Sequence, residues 1–236
     1  MEALAWSLTA GDEAAPIQKN GPRTWFSRGE ALSAPPYRIK PSAADASAPF
    51  PALQLAALHR LHDPLPLETA AAVEWSDLGD AVHAFLACDL PGLSRDARLE
   101  RAGRLLTGHG ARGALAPESL LLASESFSAF VERQVPGARW RREIPIEVRL
   151  GTEHGERLID GRIDLLLETD DRLVIVDHKS FPGSSDAALR AKAGELAAQL
   201  AAYAHALAIA RPGRRIDCWL HFVTAGAVVE LSSAAR

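Results

Sequence analysis

The feature that most constrains the fold is a change in the spacing of apolar residues near position 140. In residues 143–150 apolar and polar side chains alternate, and two further apolar-rich runs at 158–168 and 173–179 follow turn-forming sequences at 151–156 and 170–171. Alternation is the pattern of half-buried β-strands, because successive side chains of a strand point to opposite faces. This stretch therefore predicts a β-meander of three consecutive strands.

The regions on either side of these strands follow a helical period. In residues 185–210 apolar side chains recur every three or four positions, which predicts one long helix. Upstream helices are predicted at residues 53–61, 69–88, 98–106 and 118–131. Ser76 or Asp77 is the expected N-cap of the second of these helices. A last strand pair is predicted at residues 216–224 and 227–231.

These elements predict an α/β fold in which a mixed sheet core is flanked by helices and preceded by a helical subdomain. Residues 1–40 are rich in Pro, Gly, Ser and Ala without either period and are interpreted as a linker or arm. Residues 41–236 are expected to form the domain. Its helical part is expected at about 53–133, and its sheet core with the flanking helix at about 139–232.

Composition constrains the compartment more than the partner. The net charge of −4 does not indicate a polyanionic partner, so nucleic-acid binding must be argued from local residues. Cys88 and Cys218 are far apart and form neither a disulfide framework nor a zinc motif. No apolar run approaches the ~20 residues that cross a bilayer, and the N-terminus lacks a signal-peptide pattern. We expect a cytoplasmic protein with no membrane partner.

Charged residues interrupt the third strand. Alternation puts Asp177 and Lys179 on one face of this strand and His178 on the other. Two residues along a strand span roughly 6.5 Å, close enough for a carboxylate-bound metal and an ammonium group to act on one phosphate. Lysine occurs at only three other positions of the chain, so Lys179 stands out.

The second strand carries another acid. Asp164 is expected on the face opposite Ile163 and Leu165, and across the hairpin from Asp177. Two carboxylates that converge at a sheet suit a hard cation such as Mg²⁺ or Mn²⁺. Such a cation promotes phosphodiester hydrolysis by neutralising phosphoryl charge and by lowering the pKa of a bound water. Lys179 could orient or deprotonate that water, or stabilise the transition state by its charge.

These residues stand in the order of known nuclease motifs. The sequence GRIDLLLETDDRLVIVDHKS, followed by QLAAY, resembles the RecB/AddA branch of the PD-(D/E)xK (restriction-endonuclease-like) superfamily, found at the C-terminus of helicase–nucleases. The matching positions are Gly161 and Asp164, Asp177 and Lys179, and Gln199 and Tyr203. An upstream Gly-x-x-x-His motif is matched by Gly79 and His83, and residues 40–45 resemble the sequence that precedes these domains.

The resemblance implies a site as well as a fold. The metal ligands it implies are His83, Asp164, Asp177 and, through its backbone carbonyl, His178. The other catalytic positions it implies are Lys179, Gln199, Tyr203 and an upstream acid, which is Glu143 or, on the same strand face, Glu147. The expected cofactor is Mg²⁺, with Mn²⁺ possible. An iron–sulfur cluster is not expected, because the four cysteines that hold one in some relatives are absent.

The function implied is metal-dependent cleavage of DNA, by exonuclease or end-processing activity, in double-strand-break repair or recombination with a helicase as partner. The main alternative is a DNA-binding or scaffold domain of the same fold that has lost cleavage. A hydrolase of RNA or of a small phosphoester, and a protein-interaction role of the helical half, are further alternatives. The arginine clusters at residues 139–142 and 211–215 could line a phosphate track or be solvated surface.

Overall fold

The computed structural model describes residues 38–43, 50–68, 74–90, 92–152 and 155–233. The helices are α1 (Trp75–Cys88), α2 (Arg95–Gly108), α3 (Pro117–Gln134) and α4 (Asp186–Ala210). The strands are β1 (Arg38–Ile39), β2 (Leu53–Arg60), β3 (Arg139–Thr152), β4 (Gly155–Glu168), β5 (Arg172–Lys179), β6 (Arg215–Phe222) and β7 (Ala227–Ser233). Apart from its last three residues, the predicted arm lies outside the described part of the chain.

The strands form one seven-stranded mixed sheet in the order β1–β4–β5–β6–β7–β2, with β3 paired to β4. The pairs β5–β6 and β1–β4 are parallel, and the others are antiparallel. The mixed α/β architecture with flanking helices confirms the predicted fold class. In these ranges of the chain, no helix is both long and apolar enough to span a bilayer.

The first predicted helix is wrong. Residues 53–61 were expected to be helical, but Leu53–Arg60 is strand β2, at the edge of the sheet beside β7. A short apolar run does not distinguish strand from helix by its period alone. What makes this run a strand is its pairing with β7 at the far end of the sequence, which no local pattern contains. The predicted helical part therefore begins at α1.

The start of α1 also differs from the prediction. Glu74 is the N-cap and makes no side-chain capping hydrogen bond, so Ser76 and Asp77 lie inside the first turn. Asp77 still stabilises the helix, because a negative charge in the first turn opposes the helix dipole. By contrast, α4 starts with a side-chain cap, in which the hydroxyl of Ser185 accepts a hydrogen bond from the backbone N–H of Ala188.

Helices cover both faces of the sheet. On the face covered by α4, called here the α4 face, Leu200 packs in one buried cluster with Ile175 and Leu220. On the opposite, α3 face, Phe127 and Phe130 belong to a second buried cluster. Burying a large apolar side chain stabilises a fold by roughly 1.5–3 kcal/mol. Helices α1, α2 and α3 share a third cluster, so α1 is anchored beside the α3 face.

Strand β4 changes neighbours along its length, and this creates the site. It pairs with β3 along its length except at Asp164. On its other edge it pairs with β1 at Leu158 and Ile159 and with β5 from Leu165 to Glu168. The segment between these pairings, residues 160–164, therefore faces a gap where β4 separates from β5. We call this gap the fork.

Candidate active site

Asp177 and Lys179 lie together on the α4 face of β5, as the alternation predicts. The ammonium nitrogen of Lys179 is 2.7 Å from Oδ2 of Asp177, and the Asp177 residue is only 4% exposed. From α4, Nε2 of Gln199 donates a hydrogen bond to Oδ1 of Asp177 at 3.0 Å. The Asp177 carboxylate is thus held by a cation on one oxygen and by an amide on the other, in one orientation at the fork.

Asp164 faces Asp177 across the fork. The backbone N–H of His178 donates to Oδ2 of Asp164 at 2.8 Å, and Nδ1 of His83 lies 3.4 Å from the same oxygen. Burial and the negative charge of Asp177 raise the pKa of Asp164 to about 6, while His83, the His178 amide and Lys179 oppose the rise. The fork therefore holds two neighbouring carboxyl groups that repel each other when both are ionised, and a divalent cation would reduce this repulsion.

The alternation of β4 reverses beside Asp164. Ile163 packs on the α4 face and Leu165 on the α3 face, so the expectation that they share a face is wrong. The cause lies in β3, where Glu143 is the residue opposite Asp164 and has a φ of 53°. A left-handed residue interrupts the regular pleat of a strand, and the two residues do not pair. Asp164 is consequently free to reach the backbone of β5.

His83 reaches the site from the helical part of the chain. It lies in the middle of α1, and its side chain is 32% exposed. Gly79, one turn earlier, has open space where a Cβ would project. The structure thus brings His83 to Asp164, but it gives Gly79 no packing role at the fork.

Tyr203 and Gly161, two further residues of the sequence motifs, pack together at the fork. The Tyr203 hydroxyl donates to the carbonyl of Arg162 at 2.7 Å, which holds β4 against α4 at the fork. Burial raises the pKa of this hydroxyl to about 12. A Cβ at Gly161 would lie 3.0 Å from Cε1 of Tyr203 and 3.0 Å from Cδ of Pro41. Glycine is needed here because two rings pack against the backbone.

Of the two candidate acids on β3, Glu143 is the nearer to the fork. It accepts a hydrogen bond from Nη1 of Arg162 at 3.3 Å, and its backbone lies opposite Asp164. Glu147 is exposed and pairs with Asp160, four residues before Asp164 on β4. Glu143 is therefore placed to approach the site, whereas Glu147 is not.

The His178 side chain points away from the fork, as the alternation predicts. Its Nδ1 is 2.9 Å from Nδ1 of His221, whose ring stacks on Phe127 with centroids 4.3 Å apart. Burial lowers the pKa of His178 well below its usual range and lowers that of His221 to about 3. Both rings are neutral, so one donates and the other accepts. His221 had no sequence signal, because its partner is 43 positions away.

Three of the six arginines in the two clusters, Arg141, Arg214 and Arg215, pair with acids away from the fork. Arg141 pairs with Glu168 at 2.7 Å, and Arg215 pairs with Asp217 at 3.1 Å. Glu168 ends β4, roughly 13 Å beyond the fork at the usual rise of a strand. Arg142 instead points inward, onto the end of α1. The structure therefore does not assemble these clusters into a phosphate track at the two acids.

The donors at the fork fit a hard divalent cation. Because the N–H and C=O of one residue in a strand share an edge, the carbonyl of His178 faces the fork beside its N–H. Across the ranges the structure covers, no three His, Cys, Asp or Glu side chains are arranged to hold a metal ion on their own. Mg²⁺ commonly binds through one or two carboxylates and keeps several waters. Asp164, Asp177 and the His178 carbonyl match that requirement.

A comparison with known protein families agrees with this geometry. A family model described as the PD-(D/E)XK nuclease superfamily matches residues 53–232. The comparison with curated proteins gave no match. Among solved structures, one titled "Crystal structure of SSO0001" is similar at 15% identity and a TM-score of 0.29, over 66% of this chain and 67% of that one. A likeness at that TM-score does not by itself identify a fold.

Proposed function

Because the chain belongs to the PD-(D/E)XK nuclease superfamily, we propose that it is a Mg²⁺-dependent deoxyribonuclease whose active site is the fork. The observation that carries the proposal is the meeting of Asp164, Asp177 and Lys179 where β4 separates from β5. Asp164 and Asp177 would hold the cation together with the carbonyl of His178, and His83, 3.4 Å from Oδ2 of Asp164, would be a further ligand from α1.

The chain's own groups have distinct tasks in cleavage. When bound, the cation supplies Lewis acidity that neutralises charge on the phosphoryl oxygens. Lys179 places a positive charge beside the reacting phosphate and can donate a hydrogen bond to it or to the attacking water. Gln199 keeps the Asp177 carboxylate in its metal-facing orientation. Tyr203 holds β4 in place through the Arg162 carbonyl and stays protonated, because its pKa is raised to about 12.

We also propose the finer assignment to the RecB/AddA branch, and with it a role in double-strand-break repair or recombination beside a helicase. Support comes from the order of the motifs, Gly-x-x-Asp, Asp-x-Lys and Gln-x-x-x-Tyr, together with the upstream His83. A cytoplasmic location is proposed because both cysteines are free thiols, which is typical of a reducing compartment.

The test is cleavage of end-labelled linear single- and double-stranded DNA by the wild type and Asp177→Ala, with Mg²⁺, with Mn²⁺ and with EDTA. We expect metal-dependent cutting that the substitution abolishes. The matched control is Asp186→Asn, an exposed acid in the first turn of α4 that pairs with Arg60; this variant should cut normally. DNA binding without cutting, in every metal, would replace the nuclease with the scaffold alternative.

A further inference from the structure

Arg142 connects the sheet beside Asp164 to α1, the helix that carries His83. In β3 its backbone pairs with Leu165, the residue that follows Asp164. Its guanidinium donates from Nε to the carbonyl of Leu86 at 3.1 Å and from Nη2 to the carbonyl of Asp89 at 3.3 Å. These carbonyls belong to the last turn of α1 and to its C-cap. One residue therefore contacts both the strand next to Asp164 and the end of the helix that carries His83.

The geometry suits a fixed connection. Leu86 follows His83 by three residues, about 4.5 Å along the helix axis, and residues three apart share a face of a helix. The carbonyls at the end of a helix lack partners within the helix, so a guanidinium there satisfies them and interacts favourably with the helix dipole. Arginine presents its donors in a rigid plane, so its hydrogen bonds fix the distance between the two groups that it joins.

The surroundings of Arg142 favour this single arrangement. Its guanidinium carbon lies 5.1 Å from the centroid of the Trp140 ring. Asp89, which caps α1, is itself buried and is held by Arg98 at 2.7–2.8 Å and by the Ser124 hydroxyl at 2.6 Å. Burial opposes the Asp89 charge, but these hydrogen bonds prevail and lower its pKa. The carbonyl that Arg142 binds is thus part of a rigid network.

From these contacts we infer that Arg142 is a positioning residue: it sets the depth of α1 against β4 so that His83 meets Asp164. The inference deepens the proposed metal site and rests on that proposal for its consequence in metal binding. The His83–Asp164 contact at 3.4 Å is independent of any metal. It can therefore be tested even if the protein proves not to be a nuclease.

The chain offers a matched control. Arg101, on α2, donates to the carbonyl of Cys88 at 2.6 Å, so it also binds the end of α1. It connects α1 to another helix, however, and not to the sheet. Arg101→Met should destabilise the helical part as Arg142→Met does, but it should leave the approach of His83 to Asp164 intact.

The first measurement is the histidine side-chain NMR spectrum of the full chain without metal. The His83 signals are identified among those of the eight histidines by their loss in His83→Gln. Arg142→Met should move them to the positions seen in Asp164→Asn, and Arg101→Met should not. Should Arg142→Met fail to fold, Arg142→Lys must move the same signals part of the way. Unmoved signals in the folded Arg142 variants would overturn the inference.

The second measurement is Mn²⁺ affinity. Arg142→Met should weaken binding by about tenfold or more, as losses outside the direct ligands commonly do. His83→Ala should weaken it similarly, and the double variant should bind little worse than either single one, because both act on one contact. Fully additive losses would contradict the inference. Absence of Mn²⁺ binding by the wild type would remove the proposed metal site and leave the NMR result to decide on Arg142.

Discussion

The backbone N–H of His178 donates to Oδ2 of Asp164 at 2.8 Å, at the place where β4 and β5 stop pairing. A side chain of one strand thus takes the hydrogen bond that a backbone carbonyl would accept in a continuous ladder. The exchange opens the sheet and places a carboxylate inside the opening. It also carries an energetic cost, because the acid is largely buried and faces Asp177.

Asp164→Asn should therefore stabilise the metal-free protein at neutral and higher pH. The folded-state pKa of Asp164, about 6, lies above its ordinary value of 3.8, so folding favours the protonated acid. The stability that protonated Asp164 contributes to the wild type is fully present below about pH 4 and is lost as the pH rises through 6. A difference of this size corresponds to at most ~3 kcal/mol.

Urea unfolding from pH 4 to pH 8 measures this effect. The gain in unfolding free energy of Asp164→Asn should be present at pH 8 and should shrink as the pH falls through 6. Saturating Mg²⁺ should raise the melting temperature of the wild type but not of the variant, because a ligand stabilises only the state that binds it. A variant less stable than the wild type at pH 8 without metal would contradict the inferred cost of ionised Asp164 in the folded protein.

Lys179→Ala should abolish detectable cleavage while the protein stays folded. Loss of one preorganised positive or donor group at a reacting phosphate costs roughly 100- to 1,000-fold in rate. Lys192→Met is the matched control, since Lys192 is a lysine of α4 paired with Glu195 at 2.8 Å. Single-turnover rates on linear DNA, with circular dichroism as the fold check, compare the two. Normal cleavage by Lys179→Ala would remove its catalytic assignment.

Gly161→Ala and Gly79→Ala should act in opposite directions. At Gly161 the added methyl meets Pro41 and Tyr203 at 3.0 Å, so overpacking should cost roughly 1–3 kcal/mol and slow cleavage. At Gly79 the methyl meets no atom within 4 Å, and alanine in a helix interior should stabilise by about 0.5–1 kcal/mol. Thermal denaturation of both variants measures this difference. Equal changes in melting temperature would show that the Pro41 and Tyr203 rings move aside at little cost.

Gln199→Ala and Tyr203→Phe should have different effects, because Gln199 orients the Asp177 carboxylate and Tyr203 holds β4 in place. Without the Gln199 amide, Asp177 loses its hydrogen bond on Oδ1, so kcat should fall while stability changes little. Without the Tyr203 hydroxyl, the Arg162 carbonyl loses a partner, at a cost of about 1 kcal/mol in stability. Steady-state cleavage and urea unfolding of both variants provide the two readouts. An unchanged kcat in Gln199→Ala would remove its orienting role.

Some of this architecture follows from local sequence. The alternation in residues 143–150 and the turn-bounded apolar runs that follow it determined strands β3 to β5, and the apolar stripe in residues 185–210 determined α4. Asp177 and Lys179 share a face for the same reason, because side chains two apart on a strand point the same way. Local period and motif order were therefore enough to predict the fold class and to select the residues of the fork.

Tertiary structure decided what depends on distant partners. Residues 53–60 became a strand by pairing with β7, more than 160 positions later, and the left-handed Glu143 reversed the faces of β4 beside Asp164. Arg142 belongs to an arginine cluster in sequence, yet it binds the end of α1. Strand registers and buried polar contacts join segments far apart in the chain, so no local period can encode them.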